Sequence, residues 1–242
     1  MALPVKPFNG AKIQNFWKTQ QKKQKKMGRN SSGVNNYAKA KGKTVIGINA
    51  NGRKMTANQV SNMKDSAKSL DTLPEREVVK QLNRALSRYE AVMGVRERTV
   101  KVANTGDAYG ATLINEDGSQ GIYLNRNFFS QKRNDIEGQY RKQNYATGFK
   151  NVTNRPIQHT LTHELAHATW TSSYGSAKHR AAGVEINSLY KRWMKDKKKK
   201  GYGSYGKSNV DEFWAEVVTK GIHGKSDRYT KRAINIARKY KL

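Results

Sequence analysis

The sequence predicts an α+β domain with a small mixed sheet, a central helix that carries the chemistry, and a helical C-terminal half. A basic arm precedes it. Three observations predict this. Helical periodicity flanks a run of three short strand candidates between positions 99 and 125. The first 64 residues contain 14 Lys and Arg and no carboxylate, whereas globular patterning begins near Thr56. The 36% hydrophobic share is low for a chain of 242 residues that is all core, so part of it lies outside one.

The expected division is therefore an arm over 1–54 and a domain over 55–242. The stretch KTQQKKQKKMGRNSSGVNNYAKAKGK reads as a solvated basic segment with little to bury. Ile13, Phe16 and Trp17, just upstream, have helical spacing and suit an anchoring helix. TVIGINA, over 44–50, reads as a short strand. The formal charge of +29 points to polyanionic surroundings. The arm, with 13 Lys and Arg, is expected to bind nucleic acid without sequence preference or to dock on another protein.

No cysteine is present, which excludes disulfides and cysteine-based zinc sites. The first residues lack the apolar run of a signal peptide. No segment approaches the roughly 20 apolar residues of a membrane span. Synthesis in a cytosol, without membrane association, is the expectation.

LPEREVVKQLNRALSRYEAVMG is the strongest helix. Glu75 and Glu77 suit its positive end, Gly94 suits its stop, and Val78, Leu82, Leu86 and Tyr89 form its stripe. TVKVAN, ATLIN and GIYLN are the strands, with Asp117-Gly118 as a hairpin turn between the last two. A polar stretch with a short helix follows. Pro156 then opens the helix IQHTLTHELAHATW. Further helices are expected from near Ala181, over VDEFWAEVVTKGIHG, and over the C-terminal SDRYTKRAINIARKYKL with Ser226 as N-cap.

The chemistry centres on His163, Glu164 and His167. Residues four apart share a helix face, so both imidazoles can point at one metal ion. Glu164 lies roughly 100° around the helix, where it reaches a metal-bound water rather than the metal. That is the mechanical content of HExxH. A chance match in a chain this long is on the order of one per cent. Zinc at such a site needs a third protein ligand and an open position. A metzincin would carry glycine at Trp170 and histidine at Ser173, so that class is rejected. Glu185 would suit a thermolysin-like order. Asp211, Glu212 and Glu216 are the other candidates.

The stretch SYGKSNVDEFWAEVV, taken with HELAH, resembles the catalytic signature of the anthrax lethal factor-like gluzincins. That group includes bacterial endopeptidases and metallopeptidase domains of phage head proteins. The resemblance spans roughly 73–242. It implies a zincin-like fold and zinc-dependent cleavage of protein or peptide substrates, with Zn2+ held by His163, His167 and Glu212. It further implies Glu164 as base, Tyr205 facing the developing oxyanion, and Glu216 as a partner to a ligand histidine. The phage members imply the virion or a host cytoplasm as locations. The strand formed by Gly121, Ile122, Tyr123, Leu124 and Asn125 is expected at a sheet edge, pairing with an extended substrate. A rival reading is a nucleic-acid-associated virion protein with a minor or vestigial peptidase domain.

Overall fold

The computed structural model describes residues 57–94, 99–106, 108–114, 120–150, 152–172, 176–196 and 202–242. The arm over 1–54, including Ile13, Phe16, Trp17 and the strand expected at 44–50, lies outside the described residues, as does the turn expected at Asp117-Gly118. The architecture is α+β: a four-stranded mixed sheet against a larger helical body.

Helix α1 (Ala57–Asp65) leads into β1 (Lys68–Ser69) and then α2 (Arg76–Met93). Helix α2 buries Val78, Leu82, Ala85, Tyr89 and Met93. Leu86, expected in that stripe, is only partly buried. Gly94 closes the helix at φ 70°, a left-handed conformation that glycine adopts without a Cβ penalty, and donates to the Glu90 carbonyl.

Strands β2 (Val100–Ala103), β3 (Gly110–Ile114) and β4 (Gln120–Asn125) complete the sheet in the order β1-β2-β4-β3. β4 runs parallel to β2 and antiparallel to β3. The expected edge strand is therefore corrected. Gly121, Ile122, Tyr123, Leu124 and Asn125 lie in an interior strand, with Ile122 opposite Val100 on one side and Thr112 on the other. Among the described residues β3 pairs with β4 alone, so the sheet edge beside the helical body belongs to β3. Asn125 plays a structural part. Its amide nitrogen donates to the Gly106 and Ala108 carbonyls at 2.8 Å, and its oxygen caps the short helix α3 (Arg126–Phe129).

Helix α4 (Arg133–Tyr140) continues into a π-helical turn over Arg141–Tyr145. Helix α5 (Pro156–Ser172) starts at its proline as expected, because the missing N–H costs nothing in the first turn. Helix α6 (Ala177–Lys195) starts four residues before Ala181, where Ser176 accepts from the His179 amide at 3.1 Å. Helices α7 (Val210–His223) and α8 (Arg228–Tyr240) end the chain. The N-cap of α8 is Asp227 rather than Ser226. Its carboxylate accepts from the Tyr229 and Thr230 amides, and the Thr230 hydroxyl accepts in return from the Asp227 amide at 2.8 Å.

Helix α5 is the axis of the molecule. Every residue from 156 to 170 is buried, although eight of them are polar or charged. An all-round buried helix is ordinarily apolar, so its polar side chains need partners. Gln158 meets Gln81 of α2, and Thr162 lies 2.6 Å from His223 Nε2 of α7. Tyr89 donates to the Leu165 carbonyl, and Trp214 to the Ala166 carbonyl. Among the described residues, no helix is long and apolar enough to cross a membrane.

Candidate metal centre

His163 and His167 sit one turn apart on the face of α5 turned toward α7. Across from them, Asn209 caps α7 by accepting from the Glu212 amide at 2.9 Å, which fixes the helix start and presents Glu212 to α5 in its first turn. Two indoles pin the helices together: Trp214 on the Ala166 carbonyl, and Trp170 on Asp211 Oδ1 at 3.0 Å.

Three donor atoms converge. His163 Nε2 lies 3.1 Å from His167 Nε2 and 3.0 Å from Glu212 Oε2, and His167 Nε2 lies 3.4 Å from Glu212 Oε2. A tetrahedral ion with ligand bonds of about 2.0–2.1 Å separates any two ligand atoms by about 3.3–3.4 Å. The triangle is thus of the size that one small ion requires. The chemistry of the set agrees, since two imidazoles and one carboxylate suit a transition-type metal and not calcium or magnesium, which prefer all-oxygen shells. His163, His167 and Glu212 are buried and could hold a metal ion.

The charges respond to this crowding. Burial alone would raise the Glu212 carboxyl, but the His167 and His163 imidazoles overcome it and hold Glu212 well below the usual carboxylate range. Burial and the nearby Lys150 push His163 down, yet Glu212 and Glu216 carry it above its ordinary value. A cation between these groups is electrostatically welcome.

Glu216, one turn after Glu212, has its Oε1 3.0 Å from His163 Nδ1 and 3.3 Å from His159 Nε2. His159 in turn meets the Tyr145 hydroxyl, which lies 2.8 Å from Thr153. This chain orients the His163 ring from behind. His159, His163 and Glu216 also form a compact donor group. Lys150, however, places its ammonium 3.9 Å from the same Glu216 oxygen, which opposes a second cation there.

Glu164 points the other way around α5, toward the sheet. Thr112 Oγ1 of β3 lies 3.0 Å from both its carbonyl oxygen and Oε2. Gly110 is what permits this approach: a Cβ there would come within 2.9 Å of Glu164 Cγ. The carboxylate is thereby held against β3.

Tyr205 reaches the same centre from the loop before α7. Gly203, at φ 59°, leaves no room for a Cβ, which would fall against the Phe149 carbonyl. Ser204 and Tyr205 amides donate to the Gly148 and Phe149 carbonyls at 2.8 Å, locking the loop on the segment before α5. The Tyr205 hydroxyl donates to Glu212 Oε1 at 3.0 Å, and its ring stacks 5.5 Å from that of His163. Burial, followed by repulsion from Glu212 and Glu164, pushes this phenol well above its normal range, so it stays protonated and acts as a donor.

The structure therefore brings His163, His167, Tyr205, Glu212 and Glu216 into one buried cluster, with Glu164 buried beside it against β3 and within electrostatic range of Tyr205. Glu185 is elsewhere, on α6, engaged with Arg232, Lys239 and Tyr240. Asp211 is spent on Trp170. His159 is legible in the sequence as one turn before His163, but its role is not. Lys150 and Thr112, in a loop and a strand far away in sequence, carry no local signal at all. His179 and His223 are buried histidines outside the cluster, packed on Trp170 and hydrogen-bonded to Thr162 respectively.

No family model matches the chain, and no match exists among the curated proteins or the solved structures compared with it.

Proposed function

We propose that the protein is a zinc-dependent endopeptidase of zincin-like fold. The observation that carries this reading is the triangle of His163 Nε2, His167 Nε2 and Glu212 Oε2, with sides of 3.0 to 3.4 Å. Glu164, beside His163 in the chain, is buried against β3 and close enough to Tyr205 to raise its phenol. The combined HELAH and SYGKSNVDEFWAEVV signatures, with their resemblance to the lethal factor-like gluzincins, support the same assignment.

Bound zinc would acidify a water and polarise a carbonyl. The protein's own groups would do the rest. Glu164 would take the water's proton on its carboxylate and pass it to the leaving amine. Thr112 and Gly110 keep that carboxylate along the sheet edge while this happens. The Tyr205 hydroxyl would donate to the carbonyl oxygen as negative charge develops there. Glu216 holds His163 with its Nε2 turned toward Glu212. The sheet edge at β3, and not β4, is the place for an extended substrate to add as a strand.

The test is metal analysis beside a peptide-library cleavage screen on the wild type and Glu164→Gln. About one zinc per chain is expected in both, with cleavage abolished by a chelator in the wild type. Turnover in Glu164→Gln should fall by about 10²–10⁴-fold. A metal-free protein, or a variant that cleaves at the wild-type rate, would overturn the reading.

A further inference from the structure

Helix α2 turns one face to the metal-bearing helix and the opposite face to solvent. Along the solvent face, Arg76, Lys80, Arg84 and Arg88 recur every four residues, so they stand in a row one above another. All four are exposed, and they line a shallow groove together with Asn83, Ser87 and the partly buried Val79. The row is roughly 18 Å long at 1.5 Å per residue.

Like charges four apart on a helix repel, and this helix offers the row little relief. Among the described residues, none of the four forms an ion pair. The flanking Glu77 is engaged by Gln81 at 2.8 Å and by Arg133 at 3.7 Å, and it attracts Lys80 and Arg84 without pairing with either. Arg155, just ahead of α5, adds a fifth cation near Arg88 and Arg84; burial first, and then their repulsion, lowers its affinity for protons. Helix α8 makes the contrast. Its Arg228 is paired with Asp196, and its Arg232 and Lys239 share Glu185.

We propose that the α2 row is a docking surface for the phosphate backbone of nucleic acid. Charge complementarity selects a polyanion, and the shape selects a linear one. At 3.4 Å per phosphate along one strand, the row spans about five phosphates. Asn83 and Ser87, between the cations, add neutral hydrogen-bonding groups of the kind that phosphates accept from. A membrane-surface helix would instead expose large apolar side chains beside its cations. The large hydrophobic side chains exposed among the described residues are Val152, Val184 and Met194, and none lies on α2. The surface lies on the opposite side of α2 from the metal centre, so this inference stands apart from the peptidase reading.

The experiment uses the full chain and a duplex DNA of mixed sequence, with affinity measured across a salt series. Neutralising Arg76, Lys80, Arg84 and Arg88 to Gln should reduce the slope of log affinity against log salt by about 3 to 4, at 0.9 per phosphate contact. A control variant neutralising Arg180, Lys191, Arg192 and Lys195 on α6 removes the same charge and should leave the slope nearly unchanged. Circular dichroism and the thermal midpoint verify that both variants fold. Equal loss in the two variants would mean diffuse attraction to a basic protein, and an unchanged slope in the α2 variant would place the contacts elsewhere. Either result overturns the proposal. So would loss of binding to phosphatidylserine vesicles by the α2 variant with DNA binding intact.

Discussion

Tyr205 donates its hydroxyl to one oxygen of Glu212 at 3.0 Å, while the other oxygen of the same carboxylate faces His163 at 3.0 Å. The tyrosine is thus tied to the candidate metal centre through a carboxylate. Replacing it with phenylalanine removes one donor and leaves the three converging atoms in place. Tyr205→Phe should retain about one zinc per chain and lose about 10²–10³-fold in turnover, with KM little changed, because the hydroxyl acts mainly on charge that develops in the transition state. Steady-state kinetics beside metal analysis check this. A variant that turns over at the wild-type rate would return Tyr205 to a structural part.

Two glutamates compete in the sequence for the third ligand position, and their surroundings differ sharply. Glu212 is fully buried opposite both imidazoles, whereas Glu185 is held at the surface by Arg232, Lys239 and Tyr240. Glu212→Ala should lose zinc affinity by orders of magnitude. Glu185→Ala should bind zinc as the wild type does, with at most a small drop in the thermal midpoint. Competition against a chelator decides between them, and the reverse pattern would move the metal site to a thermolysin-like arrangement.

HExxH is legible because helix geometry turns a spacing of four directly into two convergent imidazoles. The third ligand is not legible from spacing alone. Glu185, Asp211, Glu212 and Glu216 all lie downstream on helices, and only packing shows that Trp170 claims Asp211 while Glu216 stands behind His163. The sheet is legible in its strands and not in its order. A hairpin from β3 to β4 is readable in the sequence, but its orientation depends on β4 returning to lie parallel to β2, a long-range choice that no local pattern encodes. That is why the sequence suggests an edge position for Gly121 to Asn125 that β3 in fact occupies. The pattern of helix α5 is also incomplete on its own, since its polar residues are buried against partners from α2, α7 and β3.

Lys150 balances the centre. Glu164, Glu212 and Glu216 bring three buried carboxylates together, and a divalent ion with the Lys150 ammonium would equal them. The ammonium lies 3.9 Å from Glu216 and 4.9 Å from the centre of the Tyr205 ring. Lys150→Met leaves Glu216 short of a counter-charge and should destabilise the fold on the order of 3 kcal/mol. Glu216→Gln should be costly as well. The double variant should be more stable than the sum of the two losses predicts, by roughly 0.5–3 kcal/mol. Urea denaturation of the four proteins measures this coupling. Strict additivity would mean that Lys150 and Glu216 do not sense one another.

The acid limb of stability should report His223. Its Nε2 lies 2.6 Å from the Thr162 hydroxyl inside the α5–α7 interface. Burial, then repulsion from His159, Arg88 and Arg155, pushes the imidazole down to about 3. The unfolded chain, with an ordinary value near 6.5, takes up this proton first as the pH falls. The stabilisation is therefore complete above about pH 6.5 and is lost progressively as the pH drops toward 3. Glu212 and Glu216 also have lowered values, but their contribution begins to fade only below about pH 4.5. His159 and His179, each held down to about 4 and burdened first by burial, share the upper window with His223. His163 is shifted up and works in the opposite sense in metal-free protein, where its contribution fades as the pH rises. A single substitution separates these groups, because they are common to both proteins. Between pH 6.5 and 4.5 the wild type should lose stability faster than His223→Gln, by up to about 1.4 kcal/mol per pH unit. Glutamine keeps a polar partner for Thr162 and cannot take up the proton. Urea midpoints at several pH values across this window give the slopes, and parallel curves would show that His223 is protonated equally well in the folded protein.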